Sequence, residues 1–237
     1  MNKKIFGFVV LCFMLSFAFV ACNNDDETPD SNSEWALFND YYLDSIAAEA
    51  KANRLPGDLN NSKVTTIEKD KWSIKSYAVQ PEEDLTFTPN KLQQVYIKWI
   101  KDYREDPQEC IYPLYTDSVK ISYKGKYVTG EVFDSNYSGE FNPEIAEPTT
   151  MALSGLIQGW AAALIYMPVG TRAELYIPYT MGYGVYGQGD IPGYTTLVFD
   201  LYLDGITHPA GPDDRKLKAA VSDEDKQLSL IHISEPT

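Results

Sequence analysis

The stretch from Ser154 to Ile206 constrains the fold most, because its hydrophobic period changes partway along. Leu156, Trp160 and Leu164 fall four residues apart, with Ile157, Ala161 and Ile165 beside them, which makes one apolar helix stripe. Pro168 and Gly170 end it. From Thr195 the period becomes two. Leu197, Phe199, Leu201 and Leu203 face one side of a strand, and Val198, Asp200, Tyr202 and Asp204 face the other. Between helix and strand lies Gly182-Tyr183-Gly184, in a run of glycines and tyrosines too irregular for a regular element. The stretch as a whole reads as a helix, two strands and an aromatic-lined loop.

Upstream, Val95-Tyr96-Ile97-Lys98-Trp99-Ile100 is rich in β-branched and aromatic residues and predicts a strand. Residues Asp102 to Pro113 predict a loop. Val119, Ile121 and Tyr123 then alternate with Lys120, Ser122 and Lys124, the pattern of a half-exposed strand. Residues Ser31 to Asn53 predict a helix, with Ser31-Asn32-Ser33-Glu34 as its capping box and Trp35, Phe38, Tyr42 and Ile46 as its apolar stripe. Leu55-Pro56-Gly57 ends it. Such a helix either packs on its own domain or serves as an arm for a homodimer or a client. Weak strand character follows around Val64-Thr65-Thr66-Ile67 and Trp72-Ser73-Ile74, and Pro81 to Asp84 interrupts it.

Four motifs carry a family resemblance. They are Leu156-Ile157-Gln158-Gly159-Trp160, Met167-Pro168-Val169-Gly170, Gly182-Tyr183-Gly184, and Ile191-Pro192 followed by Leu197-Val198-Phe199-Asp200. In this order and spacing they resemble the FKBP-type peptidyl-prolyl cis-trans isomerases. Tyr123-Lys124-Gly125 and Gly130-Glu131-Val132-Phe133-Asp134-Ser135 extend the likeness upstream, so that it runs from Leu92 to Ile206. The fold this implies is α+β, an antiparallel sheet of five to six strands wrapped around a short helix, here with an N-terminal helical extension over 34–91. The activity it implies is isomerisation of X-Pro bonds, needing no cofactor and no metal, with proline-containing unfolded or exported polypeptides as partners. A binding module or chaperone that grips proline segments without turnover shares every one of these residues.

The same resemblance assigns roles. Trp160 floors a proline pocket walled by Tyr123, Phe133, Leu156, Ile157, Ile191 and Phe199. Tyr183 donates its hydroxyl to a substrate carbonyl, and the Ile157 backbone N–H binds another. Asp134 either orients a tyrosine hydroxyl or polarises the amide. Catalytic roles thus fall to Tyr123, Asp134 and Tyr183. Each aromatic here also fits ordinary core packing; Tyr183, flanked by glycines, fits it least. The likeness breaks at the insertion from Asn136 to Pro148. Thr149 stands where the family commonly has a pocket phenylalanine, so that wall is either thinner or rebuilt by Tyr137 or Phe141. Gln188 and Asp190 stand where relatives often carry a histidine and an apolar residue.

The N-terminus sets expectations about location. Lys3 and Lys4 precede an apolar run from Ile5 to Ala21, short for a membrane span and suited to a signal peptide. It ends in Phe19-Val20-Ala21-Cys22, which resembles a bacterial lipobox, and this implies lipidation of Cys22 and anchoring at the outer membrane, facing the periplasm or the cell surface. Asn23-Asn24-Asp25-Asp26-Glu27 resembles the export tag of Bacteroidetes surface lipoproteins, and reads equally as the start of a solvated linker over 22–33. Removing the first 21 residues takes the net charge from -14 to -16. So acidic a surface repels phosphate backbones and argues against nucleic acid. With Cys12 removed and Cys22 lipidated, Cys110 has no internal partner, and the fold must rest on its core. Beyond Ile206 the chain is a polar tail over 207–237. Its last nine residues, Ser229 to Thr237, resemble translated sequencing-adapter read-through; a natural tail is the other reading.

Overall fold

The computed structural model describes residues 30–59, 62–76, 89–108 and 110–209. The lipobox with Cys22, the acidic cluster, Pro81 to Asp84 and the tail from Ala210 onward lie outside them. Two helices, α1 (Glu34–Ala52) and α2 (Gln158–Leu164), cover opposite faces of one antiparallel sheet. Its strands are β1 (Trp72–Ser76), β2 (Gln94–Asp102), β3 (Ser118–Lys126), β4 (Val132–Ser135), β5 (Thr149–Ala152), β6 (Thr171–Ile177) and β7 (Leu197–Thr207).

The order across the sheet is β1-β2-β6-β7-β3-β4, with β5 pairing β3 as well. Seven strands stand where five to six were expected, for two reasons. The upstream segment adds β1 to the edge of β2. At the other edge β4 pairs the Lys124–Lys126 end of β3 while β5 pairs its Ser118–Ile121 end, so two short strands share one position. The Val64–Ile67 stretch forms no strand.

Alternation along β7 produces the two faces. Leu197, Phe199, Leu201 and Leu203 join the larger core with α2, while Val198 joins a second core under α1. In that second core Leu43, Ile46, Ala47 and Ala50 cover Trp72, Ile74, Tyr96 and Tyr176. Burying Leu43, Ile46 and Ile74 there contributes roughly 1.5–3 kcal/mol each. The buried face of α1 is therefore rotated from the expected stripe: Ile46 belongs to it, but Trp35, Phe38 and Tyr42 lie on its flank, half-buried. Its cap differs too. Ser33, not Ser31, accepts from the Ala36 N–H at 3.2 Å.

α2 starts later than the Leu156 periodicity implies. Leu153–Gly155 forms a 3-10 turn, and Ile157 is the N-cap residue. The helix lies tight against β6 because residue 159 is glycine: a Cβ there would sit 2.3 Å from Ile177 Cγ2.

Candidate active site

The site is assembled on the α2 face, where β3, β4 and β7 lie side by side. Pairing of Gly125 with Asp134 puts Asp134 diagonally across from Tyr123 on the same face. Register shifts between Gly125 and Lys126, which leaves Phe133 as an extra residue on β4. Such a bulge re-aims a side chain, and here the consecutive residues Phe133 and Asp134 both reach the site. Phe133 lies 5.6 Å from the Phe199 ring at 87°, and the Asp134 Oδ2 accepts from the Tyr123 hydroxyl at 2.7 Å. Gly125 leaves the room: a Cβ on it would stand 2.7 Å from both Phe133 and Phe199.

Beneath them Trp160 meets Phe199 edge-on at 4.9 Å and Tyr123 at 5.2 Å. Edge-to-face pairs of this kind are worth about 0.5–1.5 kcal/mol each beyond their buried area, so the floor is rigid. Leu156, Ile157, Tyr183 and Ile191 are half-buried and pack against the same core. The structure thus brings together Tyr123, Phe133, Asp134, Trp160, Tyr183 and Phe199, and packs Leu156, Ile157 and Ile191 on the core that carries them. Trp160 and Phe199 are buried, while Asp134 is exposed at the rim.

The electrostatics follow the geometry. Burial, reinforced by the Asp134 carboxylate, pushes the Tyr123 hydroxyl up to about 12. Burial and Asp134 also raise Tyr183, so both hydroxyls stay protonated as donors at neutral pH. Of the two roles open to Asp134, the 2.7 Å bond corresponds to orienting a tyrosine hydroxyl. Among the described residues the Tyr183 hydroxyl has no hydrogen-bond partner, and the buried Trp160 indole N–H has none either. The Ile157 amide precedes the first hydrogen bond of α2, which its carbonyl accepts.

Of the two alternatives for the rim, one is overturned. Tyr137 and Phe141 do not rebuild the wall at Thr149. The Tyr137 hydroxyl bonds Asp200 at 3.2 Å and Phe141 stacks on Tyr202 at 5.1 Å, both partners lying on the opposite face of β7. Arg172, bidentate on Asp200, lies under the Phe141 ring at 4.8 Å. The insertion is thus held away from Trp160. Thr149 is exposed and bonded to the Asn136 amide at 3.0 Å, so this side of the site is thinly walled.

Tyr127 was not foreseen. Its ring lies 5.1 Å from Phe133 and its hydroxyl donates to the Asp190 carbonyl at 3.1 Å. No spacing signals it, because it follows the end of β3 and reaches Phe133 only through the bulge.

Fold and site together define a class: an α+β domain whose antiparallel sheet carries an aromatic floor ringed by hydroxyl donors and one carboxylate. The family model described as FKBP-type peptidyl-prolyl cis-trans isomerase matches residues 112–204. FK506-binding protein 2 of Dictyostelium discoideum is 36% identical over 102 residues, which are 42% of this chain and 74% of that protein. The isomerase FkpA of Aeromonas hydrophila is 37% identical over 106 residues, 45% of this chain and 37% of the relative. The FKBP-type 22 kDa isomerase of Escherichia coli is 42% identical over 92 residues, 38% of this chain and 42% of the relative. The chain belongs to the FKBP-type peptidyl-prolyl cis-trans isomerase family. The match spans less than half the length of the two bacterial relatives.

Proposed function

We propose that the protein is a peptidyl-prolyl cis-trans isomerase acting on X-Pro bonds of polypeptides. The barrier to that rotation, about 18–20 kcal/mol, is the loss of amide resonance. Uncatalysed, an X-Pro bond takes tens to hundreds of seconds to turn. A catalyst needs only to bind the twisted amide better than either planar form, about 1.4 kcal/mol of preference for each tenfold gain. The twisted amide has less charge separation, so a site lined by Trp160, Phe199 and Phe133 favours it over the planar forms.

In this reading Tyr183 donates to a substrate carbonyl, and the Ile157 amide to a second. The observation that carries the reading is the pairing of a used and an unused hydroxyl. Tyr123 is locked to Asp134 at 2.7 Å above the floor, while the neighbouring Tyr183 hydroxyl has no partner among the described residues. A protease-coupled assay on an X-Pro peptide tests it. Wild type should accelerate isomerisation, and Asp134→Ala and Tyr183→Phe should each lower kcat/KM. Activity equal to wild type in both variants would remove these residues from the mechanism.

The fine form of the proposal is a lipid-anchored isomerase that assists folding of exported proteins. It rests on the apolar run ending at Cys22. Cys22→Ala should release the protein from membranes on fractionation; retention would count against the anchor. A homodimer through α1 would have to use Leu37 and Tyr41, since the helix's buried face lies on its own sheet.

A further inference from the structure

We propose that α1 is a clamp on the loop that carries Tyr183, with Trp35 and Asn39 as positioning residues for substrate binding. That loop leaves β6 at Ile177 and enters β7 at Leu197. The first half of α1 holds it at both ends. At the β7 end the Thr196 N–H donates to Asn39 Oδ1 at 2.8 Å, and Asn39 Nδ2 donates to the Trp35 carbonyl at 2.9 Å. The Trp35 indole N–H donates to Thr195 Oγ1 at 3.0 Å, and that hydroxyl donates onward to the Pro192 carbonyl at 2.6 Å. At the β6 end Lys91 bridges Asp40 at 2.7 Å and Asp44 at 2.8 Å of the helix. The next residue, Leu92, accepts from the Thr180 hydroxyl at the foot of the loop.

A third link reaches the floor itself. The Trp35 ring meets Tyr127 edge-on at 6.0 Å, and Tyr127 stacks on Phe133 while its hydroxyl holds the Asp190 carbonyl. Asn39 makes the assignment sharper. It is 1% exposed on the buried face of a helix whose other contacts there are apolar. A buried amide costs stability unless both its ends are bonded. Both are, and the acceptor end is given to the loop. Helix packing alone has no use for that polarity; fixing the loop does.

The loop in turn has little freedom between its ends. A Cβ on Gly193 would stand 1.8 Å from the Val185 carbonyl oxygen, and one on Gly187 2.0 Å from that of Ile191. Moving an anchored end therefore moves Tyr183 as part of a unit rather than being absorbed locally.

The activity arm of this proposal rests on the isomerase reading, so the test uses two readouts on the full chain. The variants are Trp35→Ala and Asn39→Ala, with Leu43→Ala as a control that weakens α1 packing without touching the loop. The first is kcat/KM for an X-Pro peptide, which should fall roughly tenfold in the two clamp variants, mainly through KM, as expected when substrate-binding groups are misplaced. Leu43→Ala should lower the melting temperature at least as much and keep kcat/KM within about twofold of wild type. The second readout is amide hydrogen exchange over residues 182–196, which should quicken in the clamp variants and not in the control. An active wild type with both readouts unchanged in the clamp variants overturns the clamp and leaves the isomerase reading standing. So does equal loss of activity and protection in Leu43→Ala. An inactive wild type whose clamp variants still quicken exchange overturns the isomerase reading and keeps the clamp.

Discussion

Gly125 decides what the site can hold. Phe133 and Phe199 both occupy the space a Cβ would take. Gly125→Ala should force the two rings apart, costing about 1–3 kcal/mol as overpacking does, and should lower kcat/KM beyond what the stability loss explains. Urea denaturation and the X-Pro assay together check both. Tyr123→Phe removes only the hydroxyl on Asp134. It should reduce kcat/KM by roughly threefold to tenfold, equivalent to a hydrogen bond of about 1 kcal/mol, with the melting temperature little changed. Tyr123, Phe133 and Asp134 were legible beforehand only through the family resemblance of the two short motifs that carry them. Tyr127 was not. Its contact depends on where the register shifts, and register is a property of two strands rather than of one.

At the scale of elements, both helices were legible in place and α2 in its buried face as well, while the orientation of α1 was not. Weight of hydrophobicity points to Trp35, Phe38 and Tyr42 beside Ile46, yet α1 settles on Ala36, Asn39, Leu43, Ile46, Ala47 and Ala50. Small residues let a helix lie close to a sheet, and the large aromatics then flank the contact. The same logic applies to α2, where Gly159 permits contact with Ile177. Gly159→Ala should lower stability by about 1–3 kcal/mol in urea, despite alanine's better helix propensity. A stabilised variant would mean that α2 can back away from β6. The start of α2 at Gln158 escaped the periodicity because Leu156 and Ile157 continue the helical spacing while their backbone is extended. The Thr149 wall was undecidable in sequence, since Tyr137 and Phe141 could have turned to either face of β7.

Over the whole molecule, the upstream segment is built into the sheet by a buried ion pair. Lys75 on β1 is fully buried and bonds Asp58 at 2.6 Å, with the Leu59 and Ser62 carbonyls taking its other protons. Asp58→Ala would strand that ammonium and should cost about 3–5 kcal/mol, read as a lower urea midpoint. Alkaline stability is a second molecule-wide consequence. Burial pushes the hydroxyls of Tyr42, Tyr96 and Tyr123 up to about 12, against about 10 in an unfolded chain. As pH rises through that window the unfolded chain sheds protons first, so the contribution of these hydroxyls to stability should be level below about pH 10 and fall toward pH 12. Melting temperatures across that range should show the bend. The proposed isomerase activity requires the Trp160 floor to turn X-Pro bonds over rather than merely grip them. Magnetisation exchange between the cis and trans resonances of an X-Pro peptide, with the protein at a small fraction of the peptide concentration, tests this at equilibrium. Exchange should speed up in proportion to added protein and drop back with Asp134→Ala. Resonances that shift on binding while the exchange rate stays at its uncatalysed value would contradict it.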